Sequence, residues 1–220
     1  MPNRFNLYRD VHKAIRMFLS EFSLLAGRTD FSDQDDLSTL KESFDQVYDM
    51  FMIHTKVEDE HIMPLLKQFD EALYKQLEHD HHEVDTMLED LKAQLSSINS
   101  SDGDAVARGY DYFLQTNRFI AFNLKHLDDE ERLVMPLLWQ NMNDEEIIAC
   151  FGKIRADIAP PLMNAYYQYM FPSMRVFDIG MMLKGIKAAA PPEIFEKIIT
   201  VANSSISESD NKKLKDLLAQ

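Results

Sequence analysis

The sequence predicts an all-α protein: an antiparallel up-down four-helix bundle over residues 1–142, followed by additional C-terminal helices over 143–220. Three features carry that expectation. Apolar residues recur at alternating steps of three and four through most of the first half, the spacing of a bundle helix. Gly and Pro number only six and eight in 220 residues and β-branched runs are few, which favours helix over strand. The stretch His54-Thr-Lys-Val-Glu58 runs on to Met63-Pro64-Leu-Leu, and His126-Leu-Asp-Asp-Glu130 runs on to Met135-Pro136-Leu-Leu, so one helical design occurs twice.

The first helix is expected from about Asn6 to Ala26, with Phe5, Tyr8, His12, Ile15, Leu19, Phe22 and Ala26 on one stripe and Gly27 as its C-cap. After a polar connection, with Asp35 or Asp36 as a candidate N-cap, the second runs from about Leu37 beyond Leu66. Pro64 should kink it or end its regular part. Tyr74, Leu77, His81, Val84, Leu88, Leu91, Leu95 and Ile98 mark the third, and the polar run Asn99–Gly103 ends it. The fourth spans about Asp104 to Asn141, with Pro136 in the role of Pro64. Beyond Met142 come a helix toward Ala159, the break Pro160-Pro161, an apolar run to Met174, a helix around Phe177–Ala190, and short helices near 193–203 and 208–219. This tail is read as cover for the bundle or as a homodimer contact.

Residues i and i+4 share a helix face, so each copy points an imidazole and a carboxylate the same way. That face is apolar, since Val47, Phe51, Ile62 and Leu65 flank the first pair and Phe119, Phe122, Leu133 and Leu137 the second. A carboxylate on a core-facing stripe is costly without a positive partner. The register of His12 matches that of His81, so two hairpins of the form His…His-x-x-x-Glu bring His12, His54, Glu58, His81, His126 and Glu130 to one level of the core. Imidazole with carboxylate suits iron, manganese or zinc. Six donors exceed the needs of one tetrahedral ion, and two ions bridged by both carboxylates account for them, as in a non-haem di-iron centre. His61, near the same face one turn beyond His54 and Glu58, is a further candidate ligand or ligand support, although its counterpart is Leu133. A ferritin-like carboxylate site needs two Glu-x-x-His motifs, and the chain offers one.

Through His12, His54-x-x-x-Glu58, His81 and His126-x-x-x-Glu130, the chain over residues 4–141 resembles the hemerythrin-like (HHE cation-binding) proteins. The resemblance implies two Fe ions in an oxo- or hydroxo-bridged centre, with Mn or Zn as substitutes. It also implies binding or sensing of O2, NO, peroxide or iron, so the partner is a small diatomic ligand or peroxide. The pattern departs from dedicated oxygen carriers, which place a second His four residues after the one on the third helix, where Asp85 stands. They end in His-x-x-x-x-Asp, where Glu131 stands. The missing His leaves positions to water, Asp85 or His61, and shifts weight from reversible O2 transport toward redox or gas response, iron handling, or peroxide and NO chemistry. An iron-sensing hemerythrin domain within a ubiquitin-ligase adaptor is similarly poor in His. A binding or sensing module is favoured over a dedicated enzyme; the alternative is a di-iron enzyme that reduces peroxide or NO.

The other readings are plain. His79, His82, Asp59, Glu60, Asp128 and Asp129 are expected on solvated faces, Tyr8 and Leu77 as walls of the site, and Cys150 as a small buried hydrophobe. A formal net charge of −14 argues against nucleic acid and anionic membrane as partners. A single cysteine excludes an intramolecular disulfide. With no membrane span and no apolar leader, the expected location is cytoplasmic.

Overall fold

A computed structural model describes residues 4–219; Met1–Asn3 and Gln220 lie outside the described residues. Among the described residues the chain is helical, with no strand. The long helices are α1 (Arg9–Arg28), α2 (Gln34–His61), α4 (Glu71–Ser97) and α5 (Ala105–Asp129), with the seven-residue α3 (Met63–Phe69) between the second and third. A π-helical turn (Glu130–Val134) extends α5 directly into α6 (Met135–Asn141). The tail forms α7 (Asp144–Asp157), α8 (Pro160–Ser173), α9 (Val176–Ala189), α10 (Pro192–Ser205) and α11 (Glu208–Leu218).

The helix starts have ordinary local causes. Asp33 and Asp70 each accept two backbone N–H bonds from the first turns of α2 and α4, which satisfies donors that a helix start leaves free. Asn143 and Glu146 form a reciprocal capping box on α7. Pro160 and Pro192 open α8 and α10, where their missing N–H costs nothing. The expected break at Pro160-Pro161 is thus a helix start.

Two compact units emerge. Among the described residues, the first comprises 4–8 and 18–158, and the second 9–17 and 159–219. In the first, short connections make α2, α4 and α5 antiparallel neighbours, and Phe22 of α1 meets Phe44 of α2 at 6.1 Å between ring centres. At one end Leu7, Tyr8, Val57, Ile62, Leu66, Leu77, Val134 and Leu138 are buried together with Ile147 and Ile154 of α7. In the second unit Ala14, with Val11 against it, packs among Tyr167, Phe171, Ile179, Leu183, Ile198, Ala202 and Leu214. Helix α1 is therefore apolar on more than the one stripe read from its sequence.

The two Met-Pro-Leu-Leu stretches fold differently. Proline has no N–H and its ring crowds the carbonyl four residues earlier. In the first copy α2 ends at His61 and Pro64 opens the new helix α3. In the second copy the backbone widens into the π turn, whose Met135 N–H bonds to the Glu130 carbonyl, and Pro136 opens α6 without a break. Beyond Glu130, Leu133, expected on the core stripe, is exposed and Val134 and Leu138 are buried, as are Ile62 and Leu66 at the matching positions of the first copy.

Gly109, near the start of α5, faces Phe31, and a Cβ there would lie 2.2 Å from the phenyl ring. Gly152 in α7 has nothing within 4 Å of such an atom. Gly109→Ala is expected to lower the unfolding midpoint, because overpacking of ~1–3 kcal/mol outweighs the helix propensity gained. Gly152→Ala is expected to raise it by the propensity term of ~0.5–1 kcal/mol. Paired thermal melts check both signs.

Candidate metal centre

The buried carboxylates are the unusual element of this core. Glu58 lies on α2 one turn after His54, and Glu130 one turn after His126, where α5 passes into the π turn. All four side chains are buried, as are His81 on α4 and His12 on α1. Because α1 is unbroken from Arg9 to Arg28, the position of His12 follows from the continuity of that helix.

Ligand atoms of Glu58, His81, His126 and Glu130 lie within 4.8 Å of one another, and so do those of His12, His54, Glu58 and Glu130. Both carboxylates therefore belong to both groups, each of which adds two imidazoles of its own. The Glu58 carboxylate is 3.5 Å from His54 Nε2 and 3.6 Å from His81 Nε2; Glu130 is 3.4 Å from His126 Nε2. The His81 and His126 rings meet edge to face at 5.0 Å. Phe51 packs against His54 and against Phe119, which closes an apolar layer beside the donors.

Glu58, His81 and His126 carry buried atoms that are poorly satisfied by the protein itself. Neither carboxylate oxygen of Glu58 accepts a well-formed hydrogen bond, and Nε2 of His81 and of His126 makes none. Buried polar groups are normally paired, so convergent donor atoms left in this state fit a cation. Electrostatics agree. Burial first, and then the charge of Glu130, hold the Glu58 carboxyl well above the ordinary carboxylate range. Burial opposes charge on His126, but Glu130 and then Asp80 outweigh it and raise the ring. Burial, followed by Glu58 and Glu130, raises the phenol of Tyr8, which forms part of the wall expected of it.

Two carboxylates outside the donor set read from the sequence reach the edge of the site. Asp59, exposed on α2 beside Glu58 and expected to be solvated, sits 2.7 Å from Nδ1 of His81. Asp80, beside His81 on α4, lies 3.6 Å from Nδ1 of His126. The bond to Asp59 fixes the tautomer of His81 that leaves Nε2 free to ligate, whereas Asp80 stands beyond hydrogen-bond distance and acts on His126 through its charge. The usable signal was adjacency: Asp59 follows Glu58 and Asp80 precedes His81, one side chain inward and the next across to the neighbouring helix. Asp129, also expected to be solvated, is buried and bonded by Lys125 and Gln76. His79 and His82 are exposed, as expected.

The structure does not bring His61 to the buried donors. The residue ends α2, where the chain breaks before Pro64, and its Nε2 lies 2.6 Å from Asp157 of α7. Asp85 belongs to neither buried group, although its Oδ1 is buried without a hydrogen bond; burial and then Asp59 raise its carboxyl. No helix among the described residues is long and apolar enough to cross a membrane.

Comparison with known proteins agrees with this geometry. The chain is 23% identical over 150 residues to F-box/LRR-repeat protein 5 of Xenopus laevis and to that of Mus musculus, which covers 66% of this chain and 21% of each relative. The Salmo salar protein is 22% identical over 146 residues, 66% of this chain and 20% of the relative. The chain thus spans about a fifth of the length of the curated relatives it matches. No solved structure matches it. The family described as the hemerythrin HHE cation-binding domain matches residues 3–138, more than half the chain and the stretch that carries every buried donor, so the chain belongs to the hemerythrin HHE cation-binding family.

Proposed function

We propose that this chain is a non-haem di-iron protein that binds or senses O2, NO, peroxide or iron. The observation that supports it best is the sharing of Glu58 and Glu130 by both donor groups, since two neighbouring ions would each draw on two imidazoles of their own and on both carboxylates. His12 and His54 would serve one ion, and His81 and His126 the other. Imidazole and carboxylate without thiolate suit iron, with manganese or zinc as substitutes. Iron at such a site supplies redox change and open positions for a small ligand. The protein's part is to fix the four imidazoles, aim His81 through Asp59, and shield the donors behind Tyr8, Phe51 and Phe119.

Binding is favoured over turnover because the buried groups contain donors and apolar walls, with Tyr8 as the hydroxyl beside the carboxylates. Anaerobic reduction followed by O2, NO or H2O2 separates the two. A stable adduct is expected of a binding or sensing protein, and sustained consumption of peroxide or NO with an electron donor would assign an enzyme.

Purified protein is expected to carry about two iron atoms per chain by mass spectrometry, falling below about one in His54→Ala and in Glu130→Ala. Unchanged iron in both variants would remove the proposal. Asp59→Ala is expected to weaken retention against a chelator by ~10–100-fold, while Asp128→Ala, which only frees the surface partner of Arg132, leaves it unaltered.

A further inference from the structure

A second set of donors stands outside the buried centre. Glu60 and His61 occupy the last turn of α2 and Asp157 ends α7. One ligand atom from each lies within 4.8 Å of the other two. His61 and Asp157 are in direct contact at 2.6 Å, with side chains 18% and 44% exposed. From these residues we propose an exchangeable divalent-cation site, open to solvent, for a borderline ion such as Zn(II), Mn(II) or Fe(II).

Donor chemistry and surroundings support the proposal separately. One imidazole and two carboxylates make three protein ligands with room for water, a set suited to those ions. The cluster also lies where α2 and α7 both end. The last carbonyls of each helix carry partial negative charge and favour a cation there. A simple latch between α7 and the bundle would need only His61 and Asp157. Glu60 adds a second carboxylate, whose other ionic contact is an exposed lysine, Lys56, at 3.9 Å. The bundle's own repeat does not require His61, since the exposed Leu133 stands at the matching position. Glu58 is three residues earlier on the same helix, about 4.5 Å along its axis. An ion held at the rim would therefore be captured close to the buried donors.

Calorimetric titration of the metal-free full chain with Zn(II) tests this. Wild type is expected to take up about one further Zn(II) per chain beyond the tightly held metal. Glu60→Gln, His61→Gln and Asp157→Asn are each expected to lose that equivalent and keep the tight uptake, while His54→Ala shows the reverse. Full uptake in Glu60→Gln and Asp157→Asn would overturn the site and leave His61–Asp157 as a latch. Glu60→Gln changes an exposed side chain, so it decides the matter even if removing His61 disturbs folding. Were the buried centre to take no metal, the rim equivalent would still appear and still vanish in the rim variants, which separates the two readings.

Discussion

Two carboxylates share one small volume of the core, and the rest of the first unit is arranged around them. An ion taken from water into a protein interior carries a penalty of several kcal/mol, and leaving a buried charge without its partner costs ~3–5 kcal/mol. Glu58 and Glu130 face each other's charge as well, which is why the Glu58 carboxyl stands so far above its ordinary range. Four imidazoles surround them, drawn from four helices. Imidazoles and carboxylates held at one level can share a multivalent cation. The helices, the paired motifs and the apolar walls all serve to hold such a group of donors at one level.

The two halves that supply these donors are alike in sequence and unlike in backbone. Both carry a proline six residues after the glutamate. One half stops its helix before that proline, and the other widens by one residue per turn and continues. Burial beyond each glutamate nonetheless matches, with Ile62 and Leu66 buried in one half and Val134 and Leu138 in the other. In the first half the helix end leaves His61 facing α7. In the second, Leu133 at the matching position is exposed to solvent. The donors precede the backbone difference, so the site keeps its approximate symmetry, and the buried positions after it correspond as well.

The donor set was legible in the sequence because its signal is short-range and repeated. Positions i and i+4 on an apolar stripe, twice, with a matched lone histidine in each preceding helix, determine which faces meet once four helices are expected. The same rule sets His61 near the buried face, whereas it meets Asp157, since its placement depends on how the chain answers a proline rather than on helical periodicity. The π turn was hidden for a related reason: a single-residue expansion leaves no mark on composition or spacing. Asp59 sits on a position that reads as solvated, and only the neighbouring helix shows that it reaches His81. The double use of α1 was likewise obscured, because the stripe bearing His12 is so regular that Val11 and Ala14 look incidental.

The central claim is that Glu58 and Glu130 lie between two metal ions rather than beside one or none. Anomalous diffraction from crystals of the purified protein, collected on either side of the iron absorption edge, tests it most directly. The account predicts two iron peaks flanking the pair of carboxylates, one next to His12 and His54 and the other next to His81 and His126. A single peak, or no peak among these side chains, would contradict it.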